Sequence, residues 1–112
     1  MMEEGEEVIS CNLFGAETAS VVRKLRRMQK LTLEQAQGYY DDTLALVNTF
    51  YDSEGLQQEA FVESIRLDHS VYDMFYFVLA RRTGATLYSC DRSFLQLCVD
   101  NGVNCIEWVD GF

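Results

Sequence analysis

The chain has 112 residues, 48% of them hydrophobic, which is enough apolar material for the core of one small domain. No apolar run approaches the roughly 18 residues of a membrane-spanning helix. The acidic first seven residues lack the basic start of a secretory signal, so we expect a cytoplasmic protein. The net charge of −9 argues against general electrostatic attraction to nucleic acid.

The first half of the chain predicts strands alternating with pairs of helices. Residues 7–11 are apolar and β-branched, which indicates a strand, and Asn12 is placed to cap a helix that runs to about Lys30. Thr32 and Gln35 match a capping box, so a second helix starts there and runs to about Val47. The elements expected next are a strand at 48–52 and a helix at 54–67.

The second half predicts one buried helix and two further strands. The helix that begins near Ser70 is apolar almost all round over 74–80, so we expect it to pack against the sheet. Gly84 is placed for a left-handed C-cap. The remaining elements are a strand at 86–90, a helix at 92–100 and a strand at 104–108. This order predicts an α/β fold, with a parallel sheet of about four strands flanked by helices in a single domain over 1–112.

The four cysteines do not have the spacing of a metal site. Cys11, Cys90, Cys98 and Cys105 form no C-x-x-C pair, and the chain has one histidine, His69. A zinc site requires closer clustering of such ligands. We therefore predict reduced, buried thiols that act as small hydrophobic side chains.

Positive charge is concentrated in the first helix. Five of the nine basic residues fall within eight positions: Arg23, Lys24, Arg26, Arg27 and Lys30. One interpretation is a solvated helix face. The other is a patch that attracts phosphate groups, as in RNA, or an acidic partner. The sequence leaves both open.

Three acidic residues, Glu17, Asp73 and Asp91, follow predicted strands or begin predicted helices. In open parallel sheets, ligands bind beyond the carboxyl ends of the strands, where these side chains can meet. Clustered carboxylates repel each other, and Mg²⁺ or Mn²⁺, which prefer oxygen ligands, relieve that repulsion. A water bound to such an ion can attack a phosphodiester.

Each acid also has a purely structural interpretation. Asp73 completes a capping box that starts at Ser70, Asp91 can cap the helix at 92–100, and Glu17 can be a surface residue. Phospho-receiver domains also gather carboxylates, but they need a late lysine, and this chain has none after Lys30. Spacing alone leaves the metal site and the structural roles open.

Four segments resemble the PIN domain of VapC-like toxins: 6–17 with its helix-borne glutamate, 70–80 with its Tyr-Asp pair, 87–91 with its Ser-x-Asp turn, and the closing strand at 101–106. The resemblance implies a three-layer PIN-like fold and a Mg²⁺- or Mn²⁺-dependent endoribonuclease acting on tRNA or rRNA. It also implies a homodimer and an antitoxin partner. It makes the three acids named above catalytic metal ligands, with Ser89 as a polar neighbour.

The chain departs from the family pattern at its beginning. The family starts with a strand ending in a catalytic Asp, and that strand lies between those that correspond to 7–11 and 86–90. Glu3, Glu4, Glu6 and Glu7 lie before or at the start of the first strand here, not at its end, so they cannot replace that Asp. We therefore expect weak or absent cleavage. The alternative function is a non-catalytic PIN module that pairs with itself or with an antitoxin-like protein.

Removing a central strand would leave unpaired backbone groups on both neighbours. Three resolutions are open. The strands at 7–11 and 86–90 pair directly, a second chain supplies a strand in an intertwined dimer, or the natural protein is longer at its N-terminus.

Overall fold

The computed structural model describes residues 7–107, and its elements follow the predicted order. The first half contains β1 (Ile9–Cys11), α1 (Leu13–Gln29), α2 (Leu33–Ala45) and β2 (Thr49–Tyr51). A 3₁₀ turn (Ser53–Leu56) then leads into α3 (Gln57–Arg66). The second half contains α4 (Val71–Thr83), β3 (Leu87–Ser89), α5 (Arg92–Asp100) and β4 (Cys105–Glu107). Trp108, the last residue of the strand predicted at 104–108, lies outside the described residues.

The strands form two parallel pairs, β1 with β2 and β3 with β4. The mixed α/β class with parallel pairing is therefore confirmed, but the prediction of one sheet of about four strands is wrong. Within 7–107, no ladder joins β1 to β3, and only isolated bridge positions, at Val8 and Thr86, precede these two strands. Each strand has three residues, and residues of both β1 and β3 line one cavity. Paired strands lie about 4.8 Å apart, which would leave no room for a cavity between β1 and β3.

Helix α4 forms the centre of the core, as its apolar sequence predicted. Its buried side chains are Met74, Phe75, Phe77, Val78, Leu79 and Ala80. They belong to one cluster with Ile9 and Cys11 of β1, Ala60 of α3 and Leu87 of β3. The helix ends at Gly84, whose φ of 74° is the left-handed conformation that the sequence predicted for this C-cap.

The two predicted N-caps of the first helices had different outcomes. The capping box of α2 is confirmed, because Gln35 N donates to Thr32 Oγ1 at 3.1 Å and Thr32 N donates to Gln35 Oε1 at 2.9 Å. The cap by Asn12 is wrong. Asn12 has helical backbone angles instead of the extended angles of a capping residue, and Ser53 Oγ accepts from Leu13 N at 3.0 Å in its place.

Ion pairs join α3 to α4. Arg81 donates from Nη2 to Glu59 Oε2 at 2.7 Å and from Nη1 to Glu63 Oε2 at 3.1 Å. Arg66 adds a second bond to Glu63, and Arg82 adds one to Glu59. The Arg66 and Arg81 guanidinium groups hold the pKa of Glu63 below its usual value of 4.5, and Arg81 and Arg82 do the same for Glu59. We call this set of five residues the ion-pair seam.

Helices α1 and α2 form a hairpin. Its turn contains Lys30, whose φ of 53° ends α1, and the Thr32 cap of α2. The buried residues of the two helices are Thr18, Val22 and Ala36. Among the hydrophobic side chains described, Leu13 alone connects the pair of helices to the main core. The hairpin therefore packs mostly against itself.

The cysteines are all free, and their burial differs from the prediction. Cys11 and Cys98 are buried as predicted, Cys105 is half-buried and Cys90 is exposed, so the prediction is wrong for Cys90. Burial, together with the neighbouring Cys105 thiol, raises the pKa of Cys98 to about 12. No helix within the described residues combines the length and the apolar character needed to cross a membrane.

Candidate metal and RNA site

A cavity of about 230 Å³ lies between β1 and β3, and two of the three predicted acids line it. Glu17 reaches it from α1 and Asp73 from the first turn of α4. Ser10 and Ser89 add hydroxyl groups to the lining, from β1 and β3 respectively. The fold therefore brings oxygen-bearing side chains from four different elements to one cavity.

The Glu17 carboxylate is held by a tyrosine of the buried helix. Tyr76 donates its hydroxyl to Glu17 Oε2 at 2.6 Å. Burial, and then the hydrogen bond to Glu17, raises the pKa of Tyr76 far above its usual range, so the phenol stays a proton donor. Glu17 is half-buried, so its interpretation as a simple surface residue is wrong.

The Asp73 carboxylate is paired with the histidine. His69 Nε2 lies 2.9 Å from Asp73 Oδ2, and the imidazole ring stacks on Phe94 with 5.2 Å between centroids. Ser70 makes no side-chain cap, so the capping box considered for Asp73 is not formed. Asp73 therefore faces the cavity with one oxygen already engaged by His69.

Asp91 has a structural role and is not part of the cavity lining. Its Oδ1 accepts from Ser93 N at 3.0 Å, from Ser93 Oγ at 2.8 Å and from Phe94 N at 3.3 Å, which makes it the N-cap of α5. These bonds, the Ser93 hydroxyl first, lower the pKa of Asp91. Ser89 Oγ accepts from Asp91 N at 3.0 Å, so Asp91 is connected to the rim of the cavity through Ser89.

The donor atoms of the cavity are carboxylate and hydroxyl oxygens, the atom type that hard cations prefer. Within 7–107, no three His, Cys, Asp or Glu side chains form a group able to hold a metal ion. Mg²⁺, however, often takes one or two carboxylates and keeps several waters. Ser10 is only 4% exposed and lines the same cavity as the two carboxylates, so its hydroxyl places a further oxygen beside them.

Aromatic side chains form the rest of the wall. Phe14, Tyr76, Tyr88 and Phe94 line the cavity beside the acids. Such faces can stack against unpaired nucleobases. The basic residues of α1 predicted as an RNA or partner patch do not belong to the lining, which among the described residues carries no lysine or arginine.

Three residues of the site were missed by sequence reasoning: Ser10, His69 and Tyr76. Ser10 interrupts an otherwise apolar strand, and Tyr76 lies three residues after Asp73 on an otherwise apolar face, so both carried a local signal. His69 lies four residues before Asp73, but the bend between α3 and α4, where Asp68 has a φ of 50°, makes that spacing hard to interpret from sequence.

No protein-family model matches the chain, and no curated protein matches its sequence. Membership of the PIN family therefore stays a proposal.

Proposed function

We propose that the protein is a PIN-like endoribonuclease related to the VapC-like toxins, and that its cavity binds Mg²⁺ or Mn²⁺. The observation that carries the proposal is the cavity shared by Glu17 and Asp73. The two pairs of short parallel strands, with the helices between them, are compatible with the α/β class to which this family belongs. The proposal includes an RNA substrate of the tRNA or rRNA class, a homodimer, an antitoxin partner and a cytoplasmic location.

The residues of the cavity divide the work of such a site. Glu17 and Asp73 would hold the cation, with the Ser10 hydroxyl as an additional contact. A bound cation of this kind supplies an activated water and neutralises charge on the phosphodiester. Tyr76 orients Glu17, and His69 orients Asp73.

Asp91 limits the expected activity. Its carboxylate accepts three hydrogen bonds that begin α5, so it can join the cation only through water or by leaving that cap. Among the residues described, Glu17 and Asp73 are the carboxylates of the lining, and two acidic ligands stabilise less transition-state charge than three would. We therefore expect slow cleavage by the 112-residue chain.

Metal binding is the direct test. Calorimetric titration of the chain with Mn²⁺ should give a saturable signal at millimolar concentration or below. Glu17→Gln and Asp73→Asn should each weaken it at least tenfold. Asp42→Asn, at an exposed position of α2, removes the same charge and should leave binding unchanged. Equal weakening in all three variants would mean that Mn²⁺ responds only to net charge.

Cleavage tests the activity separately. Incubation with a panel of tRNAs and Mn²⁺ should give little product. Robust cleavage that is abolished by Asp91→Asn would refute the expectation of weak activity and would establish Asp91 as part of the site.

A second candidate function is a non-catalytic module that binds a protein partner. One observation favours it, since each of the three acids already has a hydrogen-bond partner within the chain: Tyr76 for Glu17, His69 for Asp73, and Ser93 and Phe94 for Asp91. A cation would have to compete with these bonds. Calorimetry that detects no Mn²⁺ binding at millimolar concentration would select this candidate over the nuclease.

A further inference from the structure

The hairpin of α1 and α2 contains a groove that the rest of the described chain leaves open. We call it the hairpin groove, and its volume is about 560 Å³. Its floor contains the small or apolar residues Ala19, Val22 and Ala36, while Arg23 and Arg26 line it from α1. The positions 19, 22, 23 and 26 have the spacing of one helix face. Small residues on the floor allow a third helix to approach at the usual distance of about 8–10 Å.

Apolar side chains beside the groove remain exposed to solvent. Leu33, which lines it from α2, is 73% exposed. Ala19, which lines it from α1, is also exposed, and Tyr40 of α2 is half-buried at the same groove. Single exposed apolar residues are normal on a protein surface, but exposed apolar residues that share one groove are typical of an interaction site.

The basic residues of the hairpin have no partners among the described side chains. Arg66, Arg81, Arg82 and Arg92 each form an ion pair with a glutamate. None of the ion pairs found within 7–107 involves Arg23, Lys24, Arg26, Arg27 or Lys30. Within 7–107, every arginine outside residues 23–30 is therefore paired with a glutamate, whereas the five basic residues at 23–30 form no ion pair.

We propose that the hairpin groove binds an acidic amphipathic α-helix of another protein. The apolar floor receives the apolar face of that helix, and Arg23 and Arg26 pair with its acidic residues. This surface lies outside the cavity of Glu17 and Asp73, so the inference goes beyond the proposed ribonuclease and does not depend on it.

RNA fits the groove less well, because phosphate recognition needs positive charge but no apolar floor. A second copy of the chain is an occupant that the test below distinguishes. An acidic amphipathic helix uses the charge and the apolar floor together.

The test uses a synthetic 18-residue peptide as probe, with leucine at helical i, i+3 and i+4 spacing and glutamate on the opposite face. Fluorescence anisotropy of the labelled peptide should show saturable binding to the full chain. Arg23→Glu together with Arg26→Glu should weaken binding at least tenfold. The matched control, Lys24→Glu with Arg27→Glu, makes the same change in net charge on residues that do not line the groove, and should weaken binding less than threefold. Circular dichroism checks that both variants stay folded.

Two further arms test the apolar contribution and the occupant. A scrambled peptide of the same composition should bind at least tenfold more weakly, and Ala19→Trp, which fills the groove, should weaken the designed peptide by a similar factor. Equal loss in both charge-reversal variants, or equal binding of the scrambled peptide, would reduce the effect to general electrostatics and overturn the proposal. So would a tRNA that binds through Arg23 and Arg26 while the peptide does not, or a dimer in sedimentation that Ala19→Trp abolishes.

Discussion

The hairpin of α1 and α2 and the packed pair of α3 and α4 are both pairs of contacting helices, but they differ in the pairing of their charges and in the number of side chains that they bury. Each arginine of α3 and α4 is paired with Glu59 or Glu63, and α4 fills the core with buried side chains. The hairpin buries Thr18, Val22 and Ala36, and its basic residues form no ion pair with any residue of 7–107. We therefore expect the pair of α3 and α4 to contribute more to stability than the hairpin, whose side chains are mostly exposed.

This difference shows why the two units tolerate change differently. Removing a buried group costs both transfer free energy and a cavity, whereas an exposed side chain that contacts nothing contributes little. Stability measurements on matched pairs of variants can therefore break or sharpen the comparison.

The largest contrast should come from apolar truncation. Phe77→Ala removes a fully buried ring from α4 and should lower the free energy of unfolding by about 3–5 kcal/mol. Met28→Ala removes a side chain that is 81% exposed on the hairpin and should change it by less than about 0.5 kcal/mol. Urea denaturation followed by circular dichroism measures both. A loss of more than 1 kcal/mol for Met28→Ala would mean that the hairpin is packed against something in solution.

The second contrast comes from the ion-pair seam. Glu63 is 7% exposed and accepts hydrogen bonds from Arg66 and Arg81. Glu63→Ala leaves those donors without their carboxylate and should lower the free energy of unfolding by about 1–3 kcal/mol. Asp42→Ala removes an exposed carboxylate from α2 and should have an effect below about 0.5 kcal/mol. Similar losses of unfolding free energy for the two variants would show that the ion-pair seam does not stabilise the fold.

The seam also predicts how stability depends on pH. The folded pKa values of Glu59 and Glu63 lie below the usual 4.5, so their contribution is present above pH 4.5 and is lost as the pH falls through the folded values. Denaturation midpoints of the wild type should therefore fall between pH 5 and about pH 3 more steeply than those of Glu59→Gln with Glu63→Gln. Parallel profiles would show that other carboxylates dominate the acid limb.

Local signals in the sequence predicted the elements well, while pairing between distant elements escaped them. Helix α5 has the predicted bounds because Asp91 starts it and Asn101-Gly102 ends it, and both signals lie within the segment. The cap of α1 failed because Ser53, from a distant segment, takes the role expected of Asn12. The division of the strands into two separate pairs likewise depends on how β1 and β3 pack in space, and these two strands are far apart in the sequence.

The candidate site shows the same division. The sequence indicated that Glu17 and Asp73 could meet, because each lies near the start of a helix that was expected at the same end of the sheet. Both residues do line one cavity. It could not distinguish a cavity residue from a cap for Asp91, because both roles use the same position after β3. The hydrogen bonds of Tyr76 and His69 to these acids were not predictable from sequence. The bond from Tyr76 to Glu17 depends on how α4 packs against α1, and the contact of His69 with Asp73 depends on the bend before α4.

The smallest expected effect is on the charges of the hairpin, and it is the sharpest test of the contrast. Arg23 is exposed in the middle of α1 and forms no ion pair with a described residue, so Arg23→Gln should change the free energy of unfolding by less than about 0.5 kcal/mol. Arg81→Gln, which breaks bonds to Glu59 and Glu63, should lose about 1–3 kcal/mol under the same conditions. If Arg23→Gln were as damaging as Arg81→Gln, the positive charge of α1 would be needed for folding and would not be a surface held available for a partner. A neutral result for Arg23 with a clear loss for Arg81 would instead separate a helix kept charged for binding from a helix kept charged for stability.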